Sequence, residues 1–230
     1  QGSTTLTYEQ LQAAVQAFAV GLRRLGLERG DRVGIYLDKR IETVVASFGA
    51  PAAGGVFVPV NPLLKPEQVA YILSDCNVRV LISSSERLAL LQPALAACPD
   101  LRLQVTVNPE ASPAGDDTTP AMGWENVLQA GAGRGGHRVI DTDMVAILYT
   151  SGSTGKPKGV VLSHRNMVAG AKSVASYLEN NADDTLLAAL PLSFDARFSQ
   201  LTTAFHVGAR AVLLNYLLPR DVLKALEKER

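Results

Sequence analysis

The feature that most constrains the fold is a repeated switch between two hydrophobic periods. Thr7, Tyr8, Glu9 and Gln10 have the spacing of a capping box, and Leu11, Ala14, Val15, Phe18, Ala19, Leu22 and Leu25 then share one helical face. Gly26 and Gly30 stop that helix, and the run RVGIYL at 32–37 reads as a strand. Ile41, Val44, Val45 and Phe48 predict a second helix, broken near Pro51 and Gly54-Gly55, before a strand at 56–60. Pro66 opens a third helix through Val69, Ile72 and Leu73, a strand follows at 78–82, and 88–97 predicts a further helix. Successive strands separated by helices cannot pair as hairpins, so they must run parallel with right-handed crossovers. The expected class is α/β, a mostly parallel sheet with flanking helices.

The pattern loosens at 108–123, a stretch rich in Pro, Ala, Asp and Thr that predicts an exposed loop, and 124–130 predicts a short helix. Residues 131–136, GAGRGG, match G-x-G-x-x-G in form, but a dinucleotide site needs a strand before it and a helix after it. Here a helical pattern precedes and HRVIDTD follows, so a flexible connection is the better reading. The organisation expected is a βα-repeat segment over 1–107, a loop-rich connection over 108–143 and a third segment over 144–230.

That third segment holds the polar stretch YTSGSTGKPKGV at 149–160. Thr150, Ser151, Ser153 and Thr154 carry hydroxyls, Gly152, Gly155 and Gly159 carry no side chain, Lys156 and Lys158 carry ammonium groups, and there is no carboxylate. Apolar runs at 145–149 and 160–162 frame it as an insert between two buried strands. Backbone N–H groups, hydroxyls and ammonium groups of such a loop can surround one polyanion, and phosphate is the obvious guest. Turn chemistry alone fits a flexible strand-to-strand loop as well. A nucleotide-hydrolase phosphate loop is excluded, because only two residues separate the glycines of GSTGK and Pro157 follows the lysine.

TSGSTGKPKG resembles the signature of the adenylate-forming (AMP-binding) superfamily, which includes acyl-CoA synthetases, luciferase-type ligases and the adenylation domains of peptide synthetases. LTYEQL at 6–11, GDRVGIYL at 30–37 and PAAGGVFVPVNP at 51–62 resemble the early part of such enzymes, and the last run is similar to acyl-CoA ligases encoded with exosortase systems. The resemblance implies the first part of the large N-terminal domain of an adenylate-forming enzyme. It implies activation of a small-molecule carboxylic acid by ATP with Mg²⁺, pyrophosphate release and transfer to a thiol acceptor, CoA being the expected one. Thr150, Ser151, Gly152, Ser153, Thr154, Gly155, Lys158 and Gly159 would then face the β- and γ-phosphates, with Lys156 in the more variable slot. The segment LPLSFDARFSQL at 190–201 would border the acid's pocket. Its Phe194-Asp195 is similar to the aromatic–aspartate pair of amino-acid-activating domains, where the carboxylate holds an α-ammonium; a helix-cap role or an Asp195–Arg197 pairing is the alternative. The sequence contains no Y-G-x-T-E or T-G-D stretch. The catalytic lysine is expected in a C-terminal domain that this sequence does not include, so the chain alone is expected to be inactive.

Other readings stay open, namely a non-catalytic anion- or partner-binding α/β protein or a small phosphotransferase. Twenty-two basic residues balance 22 acidic ones, which gives no electrostatic reason to expect a nucleic-acid or membrane-surface partner. His137, His164 and His206 lack metal-ligand spacing, and Cys76 and Cys98 fit small buried positions. No apolar run is long enough to span a bilayer, so a cytoplasmic protein is the default, with self-association expected from an uncovered sheet edge.

Overall fold

The computed structural model describes residues 4–108, 119–131, 138–151 and 156–229, with backbone alone at Asp195 and Ala196. The chain divides into two compact units, one made of Gln1–Leu37 with Ile41–Val139 and the other of Asp38–Arg40 with Ile140–Arg230.

The first unit runs α1 (Tyr8–Arg24), β1 (Arg32–Tyr36), α2 (Ile41–Ala52), β2 (Val56–Pro59), α3 (Pro66–Asp75), β3 (Val78–Ser84), α4 (Ser85–Leu95), β4 (Leu103–Val107), β5 (Ala121–Gly123) and α5 (Trp124–Ala130). Its strands lie in the order β2-β1-β3-β4-β5, and each neighbouring pair is parallel. The predicted capping box forms: Gln10 N–H donates to Thr7 Oγ1 at 3.2 Å, and Thr7 N–H donates to Gln10 Oε1 at 2.9 Å. Phe18 and Leu22 of α1, Phe57 of β2, Leu73 of α3 and Leu81 and Ile82 of β3 are fully buried. Continuous apolar runs such as VFVP are what a strand covered on both faces requires.

Three details differ from the sequence pattern. Pro51 lies inside α2 and has no N–H to give the Ser47 carbonyl, but only Ala52 follows it in the helix, and Ala53 N–H still bonds the Gly49 carbonyl at 2.9 Å. α4 starts at Ser85 because the Ser84 hydroxyl accepts from Arg87 N–H and fixes its first turn. β4 and the three-residue β5 are strands the pattern does not set apart, and β5 falls where a loop is expected. A strand that short cannot display a period. Most of that expected loop, 109–118, lies outside the described residues, as do 132–137.

The second unit comprises β6 (Met144–Thr150), β7 (Lys158–Ser163), α6 (His164–Tyr177), β8 (Thr185–Ala188), α7 (Asp195–Val207), β9 (Arg210–Leu213) and α8 (Pro219–Lys228). β6 and β7 are antiparallel, whereas β8 and β9 are parallel, with α7 lying between them in sequence. Gly208, at φ 75°, ends α7 in the left-handed conformation that favours glycine. The expectation of two buried strands around the polar loop holds only for β6. Val145–Tyr149 is buried, but Val160 and Val161 of β7 are 44% and 58% exposed. Among the described residues β7 pairs with β6 on one side only, so its apolar side chains report strand propensity rather than burial.

Candidate functional site

The polar stretch is the connection of the β6–β7 hairpin. Thr150 stands opposite Lys158 and Tyr149 opposite Gly159, so the ladder fixes both roots of the loop. Thr150, Ser151, Lys156 and Lys158 are exposed there, which puts hydroxyls and ammonium groups on one solvent-facing rim. Gly152, Ser153, Thr154 and Gly155 lie outside the described residues. Gly159 has a packing role that the sequence does not show: a Cβ there would come within 2.7 Å of Ile147 Cγ2 and 3.3 Å of the Tyr149 ring. The glycine is the space into which the buried Tyr149 and its neighbour lean.

Ser163, the last residue of β7, caps α6. Asn166 N–H donates to Ser163 Oγ at 3.2 Å, and Ser163 N–H donates to Asn166 Oδ1 at 2.9 Å. The turn before β6 is bound to the same helix end, through His164 N–H to the Asp143 carbonyl at 3.0 Å and an Arg165–Asp141 ion pair at 2.8 Å. His164 Nε2 is buried without a hydrogen-bond partner. Burial pushes the imidazole's pKa down, with Asp143 opposing. A histidine depressed in the folded state binds fewer protons than in the unfolded chain. Its contribution is therefore complete above the ordinary histidine range and is lost as pH falls through that range. The urea midpoint of the second unit should drop between about pH 7.5 and about pH 5.5, and His164→Gln should flatten that drop. Equal pH profiles for the two proteins would refute this.

The segment expected to border the acid's pocket lies past the carboxyl end of the β8–β9 pair, where open α/β sheets place ligands. The ladder ends at Ala188 opposite Leu213, and the chain runs through residues 190–194 into α7. Phe194 occupies the N-cap position, and Phe198 N–H bonds its carbonyl at 2.8 Å. Asp195 is thus the first helical residue and not the cap. The Arg197 guanidinium stacks over the Phe194 ring at 4.6 Å. Ser193, only 5% exposed, has an Oγ with no hydrogen-bond partner, and no local pattern singles it out.

A third contributor comes from far away in sequence. Lys39 Nζ donates to the Ala189 carbonyl, and the two residues are 150 positions apart. Lys39 N–H donates to Asn215 Oδ1 at 3.2 Å, Asn215 Nδ2 donates to the Lys39 carbonyl at 2.8 Å, and Nζ lies 5.9 Å from the Tyr216 ring centroid. Burial pushes the ammonium's pKa down, with Asp38 opposing. The one sequence signal for these residues is position: Lys39 follows β1, and Asn215 and Tyr216 follow β9, each past a carboxyl end. Among the described residues no group of three or more His, Cys, Asp or Glu could hold a metal, and no helix is long and apolar enough to cross a membrane.

Comparison with known proteins gives one consistent result. The family described as AMP-binding enzyme matches residues 1–230. The L-proline–[L-prolyl-carrier protein] ligase of Streptomyces coelicolor is 34% identical over 234 residues, covering 98% of this chain and 42% of that protein. Gramicidin S synthase 2 of Aneurinibacillus migulanus is 30% identical over 224 residues, covering 97% of this chain and 4% of that protein. The anthranilate CoA ligase AuaEII, solved with anthranoyl-AMP, superposes with a TM-score of 0.84 at 26% identity, over 96% of this chain and 42% of that one. The chain therefore spans less than half the length of these relatives.

Proposed function

This chain belongs to the AMP-binding enzyme family, and from that premise we propose that it supplies the triphosphate and acid sides of an adenylate-forming ligase site. The reaction joins a carboxylic acid to the α-phosphate of ATP, releases pyrophosphate, and passes the acyl group to a thiol. The observation that carries the reading is the β6–β7 hairpin, which sets Thr150 against Lys158 at the root of a loop rich in hydroxyls and free of carboxylates. Carboxylate and triphosphate repel each other, so the protein must neutralise charge and align the attack. Hydroxyls of Thr150, Ser151, Ser153 and Thr154 would donate to β- and γ-phosphate oxygens, and Lys158 would add a point charge. Gly152 and Gly155 would let the backbone approach the phosphates. Mg²⁺ would arrive with the nucleotide and would supply positive charge against that of the phosphates.

A charge-assisted contact to phosphate contributes about 1.5–3 kcal/mol. In the enzyme carrying this chain, Lys158→Ala and Thr154→Ala should each slow acid-dependent pyrophosphate exchange about tenfold or more, and Lys156→Ala should do less. Wild-type exchange in both of the first two variants would remove the phosphate assignment.

The acyl acceptor is proposed as CoA, the acceptor named for the anthranilate ligase; a carrier-protein thiol, named for the prolyl ligase, is the competing choice. The position of Asp195 at the start of α7, just past the carboxyl end of β8, favours a second reading of the substrate: an acid that also carries an ammonium group. Phe194 would form one wall of that pocket.

A further inference from the structure

We propose that Lys39 is a positioning residue that sets where the acid-binding segment 190–194 begins; this rests on the reading of that segment as the acid side of the site. The segment is held at both ends. At its far end Phe194 is fixed as the N-cap of α7, by Phe198 N–H at 2.8 Å and by the Arg197 guanidinium over its ring. At its near end the β-ladder has run out. Ala189 N–H turns back to the Leu187 carbonyl at 2.9 Å, and Leu214 N–H takes the Ala188 carbonyl at 3.2 Å. The Ala189 carbonyl is the next acceptor along the chain, and the Lys39 ammonium takes it.

The lysine can hold that point because it is itself held. Asn215, two residues past β9, accepts from the Lys39 N–H and donates to the Lys39 carbonyl, which leaves the three-residue piece 38–40 little freedom to shift against β9. The ring of Tyr216 lies beside the ammonium at 5.9 Å. Placing a half-buried ammonium here costs solvation, and the carbonyl and the ring offset it. Between the two fixed ends sits Ser193, whose buried Oγ has no protein partner. A segment presenting such a group needs its backbone fixed to within a fraction of an ångström if it is to orient a substrate.

The test uses Lys39→Met and Lys39→Arg in the enzyme carrying this chain, beside Thr154→Ala. In pyrophosphate exchange, Lys39→Met should raise KM for the acid about tenfold and leave KM for ATP within about twofold. Lys39→Arg should recover most of the loss, because a guanidinium can reach a carbonyl and stack on Tyr216. Hydrogen exchange on the chain itself gives a readout independent of turnover. Amides of residues 189–194 should exchange about tenfold faster in Lys39→Met, while those of α1 stay unchanged. Unchanged exchange at 189–194, or KM values for acid and ATP rising together, would overturn the assignment of Lys39. Wild-type pyrophosphate exchange in Thr154→Ala and Lys158→Ala would instead count against the phosphate site, and the amide measurement would still decide the role of Lys39.

Discussion

Gly131→Ala should lower the thermal midpoint of the first unit by roughly 10 °C, and Gly21→Ala by a similar amount, the equivalent of about 3 kcal/mol each. The two glycines lie where α1 and α5 touch. A Cβ on Gly131 would stand 1.7 Å from the Ala17 carbonyl oxygen, and one on Gly21 would stand 2.1 Å from the Val127 carbonyl oxygen. Both obstacles are backbone, so no side-chain rotation can relieve them, and the helices would have to separate. Separation would pull apart Phe18 and Trp124, whose rings stack at 4.5 Å and 22°. Overpacking costs about 1–3 kcal/mol where neighbours can yield, so rigid neighbours place these changes at the upper end. Gly170→Ala is the counter-control. It lies within α6 with nothing within 4 Å of its would-be Cβ, and alanine there should stabilise by about 0.5–1 kcal/mol. Trp124 is the single tryptophan of the chain, so its fluorescence reports the α1–α5 contact directly. Unshifted melting in both Gly21→Ala and Gly131→Ala would mean that the helices do not pack this closely.

Asp195→Ala should cut activation of amino acids about a hundredfold or more while sparing acids that lack an ammonium group. Removing one partner of an enclosed charge pair costs about 2–5 kcal/mol, because the other charge is left without compensation. A purely structural Asp195 predicts something different. Phe194 holds the cap position, so a structural Asp195 would act through the first turn of α7 or a pairing with Arg197, about 0.3–1 kcal/mol. That loss would be small, would appear in melting, and would fall on every substrate alike. Pyrophosphate exchange with matched pairs of acids, with and without an α-amino group, separates the two. An enzyme that activates only acids without ammonium groups, and whose Asp195→Ala variant keeps its rate and its melting temperature, would rule out the ammonium reading.

The candidate site was legible to different depths in its different parts. The loop at 149–160 stands out because hydroxyls, glycines and lysines crowd into one continuous stretch, and the flanking apolar runs mark a strand on each side, which the structure pairs antiparallel. Phe194-Asp195 is legible only through resemblance, since nothing in a dipeptide distinguishes a pocket wall from a helix start. Lys39 showed only its position after a strand and nothing of its role, because its partners lie 150 and 176 residues away. Glycines show the same limit. GAGRGG invites a nucleotide reading by its form, yet its first glycine ends α5 against the backbone of α1.

By itself the sequence determined what depends on neighbours along the chain. The Thr7–Gln10 and Ser163–Asn166 capping boxes are such features, as are the start of α3 at Pro66 and the alternation of periods that demands parallel strands. Each is set by backbone groups a few residues apart, whose hydrogen bonds and periodicity are local. Only the tertiary structure decided which strand faces were covered, leaving β7 exposed despite its valines, and where a missing Cβ was essential. It alone joined Lys39 to Ala189 and Asn215 past the ends of β8 and β9. Burial and long-range pairing depend on what the rest of the chain brings alongside, and no window of local sequence contains that partner.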